Sequence, residues 1–160
     1  MSEHQSPDWL PTLNEFLARP VVRKGLSPLK DSIEIGVTLS SGESVTITKE
    51  KGQPTLINRP AEKPDMGFSI PPGALAAIKE FETEDLGQMA IFLFGLLTDA
   101  DPNRKMVPKL NIGVIGLVTK GYLATIPLGG ATLMKYLATK GFGSLGAIKN
   151  AISRLREGSK

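Results

Sequence analysis

The stretch GFGSLG at residues 141–146 has glycines at a spacing that could serve nucleotide chemistry. It fits the G-x-G-x-x-G pattern of a dinucleotide-binding turn, in which a strand precedes the glycines and a helix follows them. Residues 133–140 show helical periodicity instead, and the chain after Gly146 is too short for a second strand and a ribose-binding acid. The pattern therefore predicts a helix that ends at Gly141, followed by a flexible link to a terminal helix.

Other groups that could do chemistry form incomplete sets. Cysteine is absent, and the one histidine, His4, lies in a polar leader, so the serines lack a base for a nucleophilic relay. The acidic cluster at residues 80–85 is typical of a solvated break between helices. The loop at residues 99–110 lacks the glycine and the twelfth-position glutamate of a calcium loop. We therefore predict a protein that is not an enzyme, with no catalytic residue, no metal site and no cofactor.

Composition favours one folded domain, because 160 residues with 41% hydrophobic and 22% charged side chains can bury a core. The net charge is +3, and few aromatic residues lie among the scattered basic ones, so nucleic-acid binding is not expected. A transient contact with an anionic membrane surface stays open. The longest apolar run, residues 89–97, is too short to span a bilayer, and no signal peptide is recognised, so a cytoplasmic location is expected.

The front half of the chain alternates in the manner of strands. Apolar residues occupy every second position from Ile33 to Leu39, and after a turn at residues 40–42 the alternation resumes, which predicts a hairpin over residues 32–49. Further strands are predicted at residues 55–58 and 66–70.

From Pro72 the period becomes helical, which predicts helices over residues 72–81 and 86–97. The second of these is apolar on nearly every side, so it must be buried or must face an apolar ligand. A last strand is predicted over residues 109–116, where apolar residues alternate again after Pro108.

This order of elements over residues 30–137 resembles the sterol carrier protein 2-like (SCP2-like) family. The most telling stretch begins at Asp65, where the strand DMGFSI runs directly into the helix at residues 72–81. The resemblance implies an α+β fold, with a five-stranded, mostly antiparallel sheet covered by helices that enclose an apolar tunnel for a lipid. We expect the chain to comprise an N-terminal helical segment (residues 1–30), the lipid-binding domain (31–140) and a glycine-hinged amphipathic helix (141–160), which together form one structural domain.

The predicted function is the non-catalytic binding or transfer of a hydrophobic ligand, such as a fatty acid, phospholipid, sterol-like or isoprenoid lipid. The alternative is a protein–protein interaction module, for example a homodimer, that uses an apolar helical surface around Phe92 and Phe94. The residues predicted to contact the lipid are Leu75, Ile78, Phe81, Met89, Phe92, Leu93, Leu96, Ile112, Val114, Leu133, Tyr136 and Leu137.

Overall fold

The computed structural model describes residues 9–158, without the side chain of Leu145. His4 lies outside this range. So do Ser6, Pro7 and Asp8, whose residue types predict the start of a helix that runs into Trp9. The strands are β1 Ile35–Leu39, β2 Ser44–Glu50, β3 Gln53–Ile57, β4 Met66–Ile70 and β5 Val107–Leu110. The helices are α1 Trp9–Ala18, α2 Pro20–Gly25, α3 Pro72–Glu80, α4 Leu86–Leu97, α5 Val114–Thr119, α6 Gly130–Thr139 and α7 Leu145–Gly158, with a 3-10 helix at Leu123–Gly129.

The five strands form one sheet in the order β3-β2-β1-β4-β5. Neighbouring strands are antiparallel except β1 and β4, which are parallel. The predicted α+β class with a mostly antiparallel five-stranded sheet is confirmed. Each outer strand contains a proline, Pro54 in β3 and Pro108 in β5, as edge strands allow.

Strand register gathers the apolar side chains on one face of the sheet. Val37 in β1 is opposite Val45 in β2 and Phe68 in β4, so the three side chains form a row across the strands. Val37 and Val45 are almost fully buried and pack with Ala74 and Ile78 of α3. The alternation in the sequence therefore selects the face that the helices cover.

Two cationic side chains fasten the first helices to the rest of the fold. Arg19, directly after α1, donates to the carbonyl of Phe81 at the end of α3, with an N–O distance of 2.6 Å. Lys49 of β2 is buried and donates to the carbonyl of Leu29 at 2.8 Å and to two more carbonyls in the segment after α2. Because helix ends and turns leave carbonyls without intrahelical partners, both cations supply donors where such carbonyls occur.

The strand predicted over residues 109–116 is wrong in its extent. The strand ends at Leu110, and Val114–Thr119 is the helix α5, which begins after Gly113. The β-branched residues of this stretch favour a strand, but packing overrides that preference. As a helix, α5 buries Leu117 against Leu110 and Ile152.

Candidate functional site: an apolar cavity

A cavity of about 570 Å³ lies between the inner face of the sheet and the helices. Alternating positions of the three central strands form its floor, because successive side chains of a strand point to opposite faces. The strand residues that line it are Ile35, Val37, Ile47, Met66, Phe68 and Ile70.

Helix α4 forms one wall. Asp85 caps this helix by accepting a hydrogen bond from the Gln88 N–H at 3.2 Å, which fixes where the helix begins. The residues that line the cavity recur at spacings of three and four, so they form one stripe along the helix. They are Leu86, Met89, Ala90, Leu93, Phe94 and Leu97.

The opposite side of α4 is also packed, which explains why the helix is apolar on nearly every side. Leu96 is buried in the core beside the sheet. Phe92 stacks on Phe81, with ring centroids 4.1 Å apart and the ring planes within 1° of parallel. The helix therefore separates the cavity from a second apolar contact.

The first two helices and the segment after them supply another wall. Leu13, Phe16 and Leu17 lie along one side of α1, and all three line the cavity. Val22, Leu26 and Leu29 continue this wall. Two hydrogen bonds hold this wall in place. Arg19 donates to the Phe81 carbonyl after α3, and Lys49 of β2 donates to the carbonyl of Leu29 itself.

The predicted helix end at Gly141 is confirmed, and it shapes the third wall. Gly141 has φ +88°, a conformation that favours glycine. The N–H groups of Gly141 and Phe142 donate to the carbonyls of Ala138 and Leu137, which makes a Schellman motif. The side chains of Leu137 and Phe142 thereby come together at the cavity, beside Leu133.

Helix α7 closes the cavity beyond this turn. Ser144 caps the helix, because its hydroxyl accepts from the Ala147 N–H at 3.1 Å. Ile148, Ala151, Ile152 and Leu155 line the cavity at spacings of three and four. Leu155 is also 44% exposed, so it lies where the cavity wall meets solvent.

Two hydroxyl-bearing residues, Tyr122 and Thr125, are the polar side chains of the described lining. Tyr122 donates to Asp65 Oδ2 at 2.8 Å, and Thr125 donates to the Tyr122 carbonyl at 2.6 Å. Asp65 is almost fully buried and also accepts from Lys120 Nζ at 2.6 Å and from the Glu34 N–H at 3.1 Å. Both hydroxyl protons are therefore engaged within the protein, which leaves only acceptor capacity toward a ligand.

Backbone geometry brings this polar group to the cavity. Gly121, between Lys120 and Tyr122, has φ +91°, and a Cβ built on it would lie 2.1 Å from the Pro28 carbonyl oxygen. A residue with a side chain would push α5 away from the segment before β1.

Burial, and after it the hydrogen bond to Asp65, raises the pKa of the Tyr122 phenol well above its ordinary value. The phenol is therefore neutral throughout the physiological pH range.

The structure brings together five of the twelve residues predicted to contact the ligand and places the other seven elsewhere. Ile78, Met89, Leu93, Leu133 and Leu137 line the cavity. Leu75 and Leu96 pack in the core beside it, and Ile112 and Val114 pack around Leu110 and Leu117. Whether any of the twelve binds a lipid stays a prediction.

The remaining three predicted residues lie near the cavity but outside its lining. Phe81 and Phe92 border a separate groove of about 500 Å³, whose other members include Glu80 and Arg104. Tyr136 packs edge-on against Phe94, with ring centroids 5.6 Å apart. Helical spacing marks apolar positions, but it does not say which side of a helix faces an empty space.

Several lining residues were not recognised from the sequence as belonging to the site. Those of α7 carried a usable signal, because Ile148, Ile152 and Leu155 recur on one helix face. Tyr122 carried none, since its partner Asp65 lies 57 positions away along the chain.

Among residues 9–158 no helix is long and apolar enough to cross a membrane, and no cluster of three acidic or histidine side chains could hold a metal ion.

Comparison with known proteins gives a likeness at the level of structure. No family model matches the chain, and no curated protein matches it. A solved structure described as "UbiJ-SCP2 Ubiquinone synthesis protein" is similar, with 16% sequence identity and a TM-score of 0.39, over 74% of this chain and 90% of that one. Membership of the sterol carrier protein 2-like family stays a prediction from the sequence pattern.

Proposed function

We propose that this protein binds a hydrophobic ligand, of the chemical class of lipids, in the cavity between the sheet and the helices. The observation that supports this proposal most directly is the composition of the lining. No side chain of the described lining carries a charge or an amide group. Ligand pockets are typically a few hundred Å³ in size and mostly apolar, and a volume of about 570 Å³ falls in that range.

The energetics favour an apolar occupant. Water in such a cavity would find few hydrogen-bond partners, whereas each methylene that moves from water into the cavity gains about 0.8 kcal/mol. An ionised head group would be costly to bury beside these walls. We therefore expect the apolar part of the ligand to occupy the interior and any charged group to stay at the opening.

We propose a carrier or binding role rather than catalysis. The lining offers no carboxylate, imidazole or amine, and the Thr125 hydroxyl already donates to a backbone carbonyl. Catalytic groups need such side chains within reach of the substrate. The SCP2-like resemblance of the sequence agrees with this role.

The alternative of a dimerising interaction module receives less support. It requires the aromatic side chains of α4 to be available to a partner. Phe92 stacks on Phe81, and Phe94 contacts both Tyr136 and Phe142 edge-on. These intramolecular contacts occupy the rings that a partner would have to cover.

The test is ligand uptake by the whole chain and by two variants of α4. Native mass spectrometry after mild purification should show a co-purified lipid, and a fluorescent fatty acid should bind. Ala90→Phe places a ring in the cavity and should weaken uptake about tenfold, the equivalent of two lost methylene contacts. Gln88→Phe, at an exposed position of the same helix, should leave uptake unchanged.

The proposal fails if the parent protein carries no lipid and takes up none. It also fails if Gln88→Phe and Ala90→Phe weaken uptake equally, because the effect would then not depend on the cavity.

A further inference from the structure

The charges of the described chain divide sharply along the sequence. Residues 9–106 contain eleven basic and thirteen acidic side chains. Residues 107–158 contain seven basic side chains and one acidic side chain, Glu157. The positive charge of the protein is therefore concentrated in this C-terminal third, which comprises β5 and all later elements.

Exposed apolar side chains are concentrated in the same third. The large hydrophobic residues with high exposure in the described chain all fall between residues 107 and 155. Isolated cases are ordinary, but their restriction to one third is not expected from chance exposure. They are Val107, Ile115, Val118, Leu128, Met134 and Leu155.

Helices α5 and α7 bring the two properties together. Ile115 and Val118 lie three positions apart on α5, so they share a face, and they are 81% and 57% exposed. Helix α7 packs against α5 and β5. The Arg156 guanidinium lies over Gly113, directly before α5, so close that a Cβ there would be 2.9 Å from Arg156 Nη1. The Arg156 cation thus lies at the start of the helix that carries Ile115 and Val118.

The cationic side chains of α7 are available to a partner. Lys149, Arg154 and Arg156 are exposed, and the salt bridges found among the described residues include none of them. On the same helix, Leu155 lines the cavity and is 44% exposed. Successive positions of a helix are about 100° apart, so Arg154 and Arg156 flank Leu155 on its two sides, and Lys149 lies on the side of Arg156. Cations therefore border the place where the cavity meets solvent.

We propose that α5 and α7 form a docking surface for a bilayer that contains anionic lipids. Ile115 and Val118 enter the head-group region, and Lys149, Arg154 and Arg156 bind the lipid phosphates. An amphipathic surface with cations beside apolar side chains is what such an interface selects. The proposal rests on the lipid-binding function, because docking would bring the cavity edge at Leu155 to the membrane.

Nucleic acid fits this surface less well, because its single strands need aromatic platforms for the bases. The aromatic residues of the C-terminal third are committed elsewhere. Tyr122 bonds to Asp65, and Tyr136 and Phe142 pack edge-on against Phe94.

The test measures co-sedimentation of the full chain with vesicles. Vesicles of phosphatidylcholine with about one third phosphatidylglycerol should bind the protein, and vesicles of phosphatidylcholine alone should bind it far less. Replacing Lys149, Arg154 and Arg156 together by glutamine should weaken the binding by about 100-fold, at about fivefold for each cation. The paired substitution Ile115→Ser and Val118→Ser should weaken it as well and abolish the part that resists high salt.

The matched control removes the same charge elsewhere. Lys30, Lys63 and Lys79 are exposed side chains of residues 9–106, and their joint replacement by glutamine should leave most of the binding intact. The proposal is overturned if anionic vesicles do not bind the parent protein. It is equally overturned if they bind as weakly after the control substitution as after that of α7, or if neutral vesicles bind equally well.

Uptake of a fluorescent fatty acid without vesicles separates this proposal from the proposed function. The surface variants should keep normal uptake, because their substituted side chains are exposed. Vesicle binding by a protein that takes up no ligand would sustain the docking surface and overturn the lipid-binding function. Uptake without vesicle binding would do the opposite.

Discussion

Lys120 Nζ lies 2.6 Å from Asp65 Oδ1, and this ion pair joins the end of α5 to the residue directly before β4. Asp65 is 3% exposed in its side chain, whereas Lys120 is 31% exposed. The carboxylate is thus held away from water by groups that the chain itself supplies.

Removing the cation should destabilise the fold. Lys120→Met leaves the Asp65 carboxylate with only two neutral donors, the Tyr122 hydroxyl and the Glu34 N–H. We expect the free energy of unfolding to fall by about 2 kcal/mol, less than for a fully buried pair because Lys120 is partly solvated. Urea denaturation followed by circular dichroism measures it.

The control is Lys135→Met, at an exposed position of α6, which should change the free energy of unfolding by less than about 0.5 kcal/mol. The double variant Asp65→Asn and Lys120→Met should recover part of the loss, because it buries no charge. An equal effect of the two methionine substitutions would contradict the role given to the ion pair.

Alkaline pH should destabilise the protein through Tyr122. Its pKa is raised in the folded state, so the folded protein holds the phenolic proton more tightly than the unfolded chain does. The stabilisation is therefore complete below the unfolded pKa of about 10 and is lost as pH rises above it. In Tyr136→Phe, which leaves Tyr122 as the one tyrosine, phenolate absorbance should appear only together with unfolding. Phenolate formation near pH 10 in a protein that stays folded would contradict this prediction.

Two leucines of α4 should respond differently to truncation. Leu96 is almost fully buried in the core, so Leu96→Ala should lower the free energy of unfolding by about 3 kcal/mol. Leu93 already faces empty space on its cavity side, so Leu93→Ala should cost only about 1 kcal/mol. Denaturation of both variants without ligand gives the comparison, and a larger loss for Leu93→Ala would contradict the position of the cavity.

The same pair should separate stability from ligand binding. Leu93→Ala should alter uptake of a fluorescent fatty acid, because it changes the cavity wall. Leu96→Ala should leave uptake by the folded protein close to that of the parent. Equal uptake by both variants would count against the site.

Two glycines near the end of the chain should respond to alanine with opposite signs. Gly141→Ala forces a side chain into φ +88° and should lower the free energy of unfolding by about 1 kcal/mol. Gly146 lies in the exposed first turn of α7, where alanine should raise it by about 0.5 kcal/mol. Thermal unfolding of both variants is the measurement, and a shared sign would contradict the Schellman motif.

Local periodicity predicted most elements of the fold. The alternation around Val37 and Phe68 placed β1 and β4, and Asp85 with the apolar run after it gave the bounds of α4. These signals succeed because each element is determined mainly by which of its own faces must be buried. The prediction of a strand over residues 109–116 is wrong because Val114 and Ile115 favour a strand in isolation, whereas the contact of Leu117 with Ile152 requires a helix.

The candidate site was harder to predict because a cavity is a property of several elements at once. Leu93 and Leu96 look alike in the sequence, but one borders empty space and the other borders the core. The partnership of Asp65 with Tyr122 spans 57 positions, beyond the reach of any local pattern. The division of charge can be counted in the sequence, but only the fold places Arg156 at the start of the helix that carries Ile115 and Val118.

The prolines of the two outer strands bear on how this protein could self-associate. Pro54 in β3 and Pro108 in β5 each remove a backbone donor and obstruct a continuous ladder with an added strand. Both rims of the sheet are thereby protected against edge-to-edge aggregation. Any homodimer should therefore assemble through side-chain surfaces and leave the two sheets unjoined.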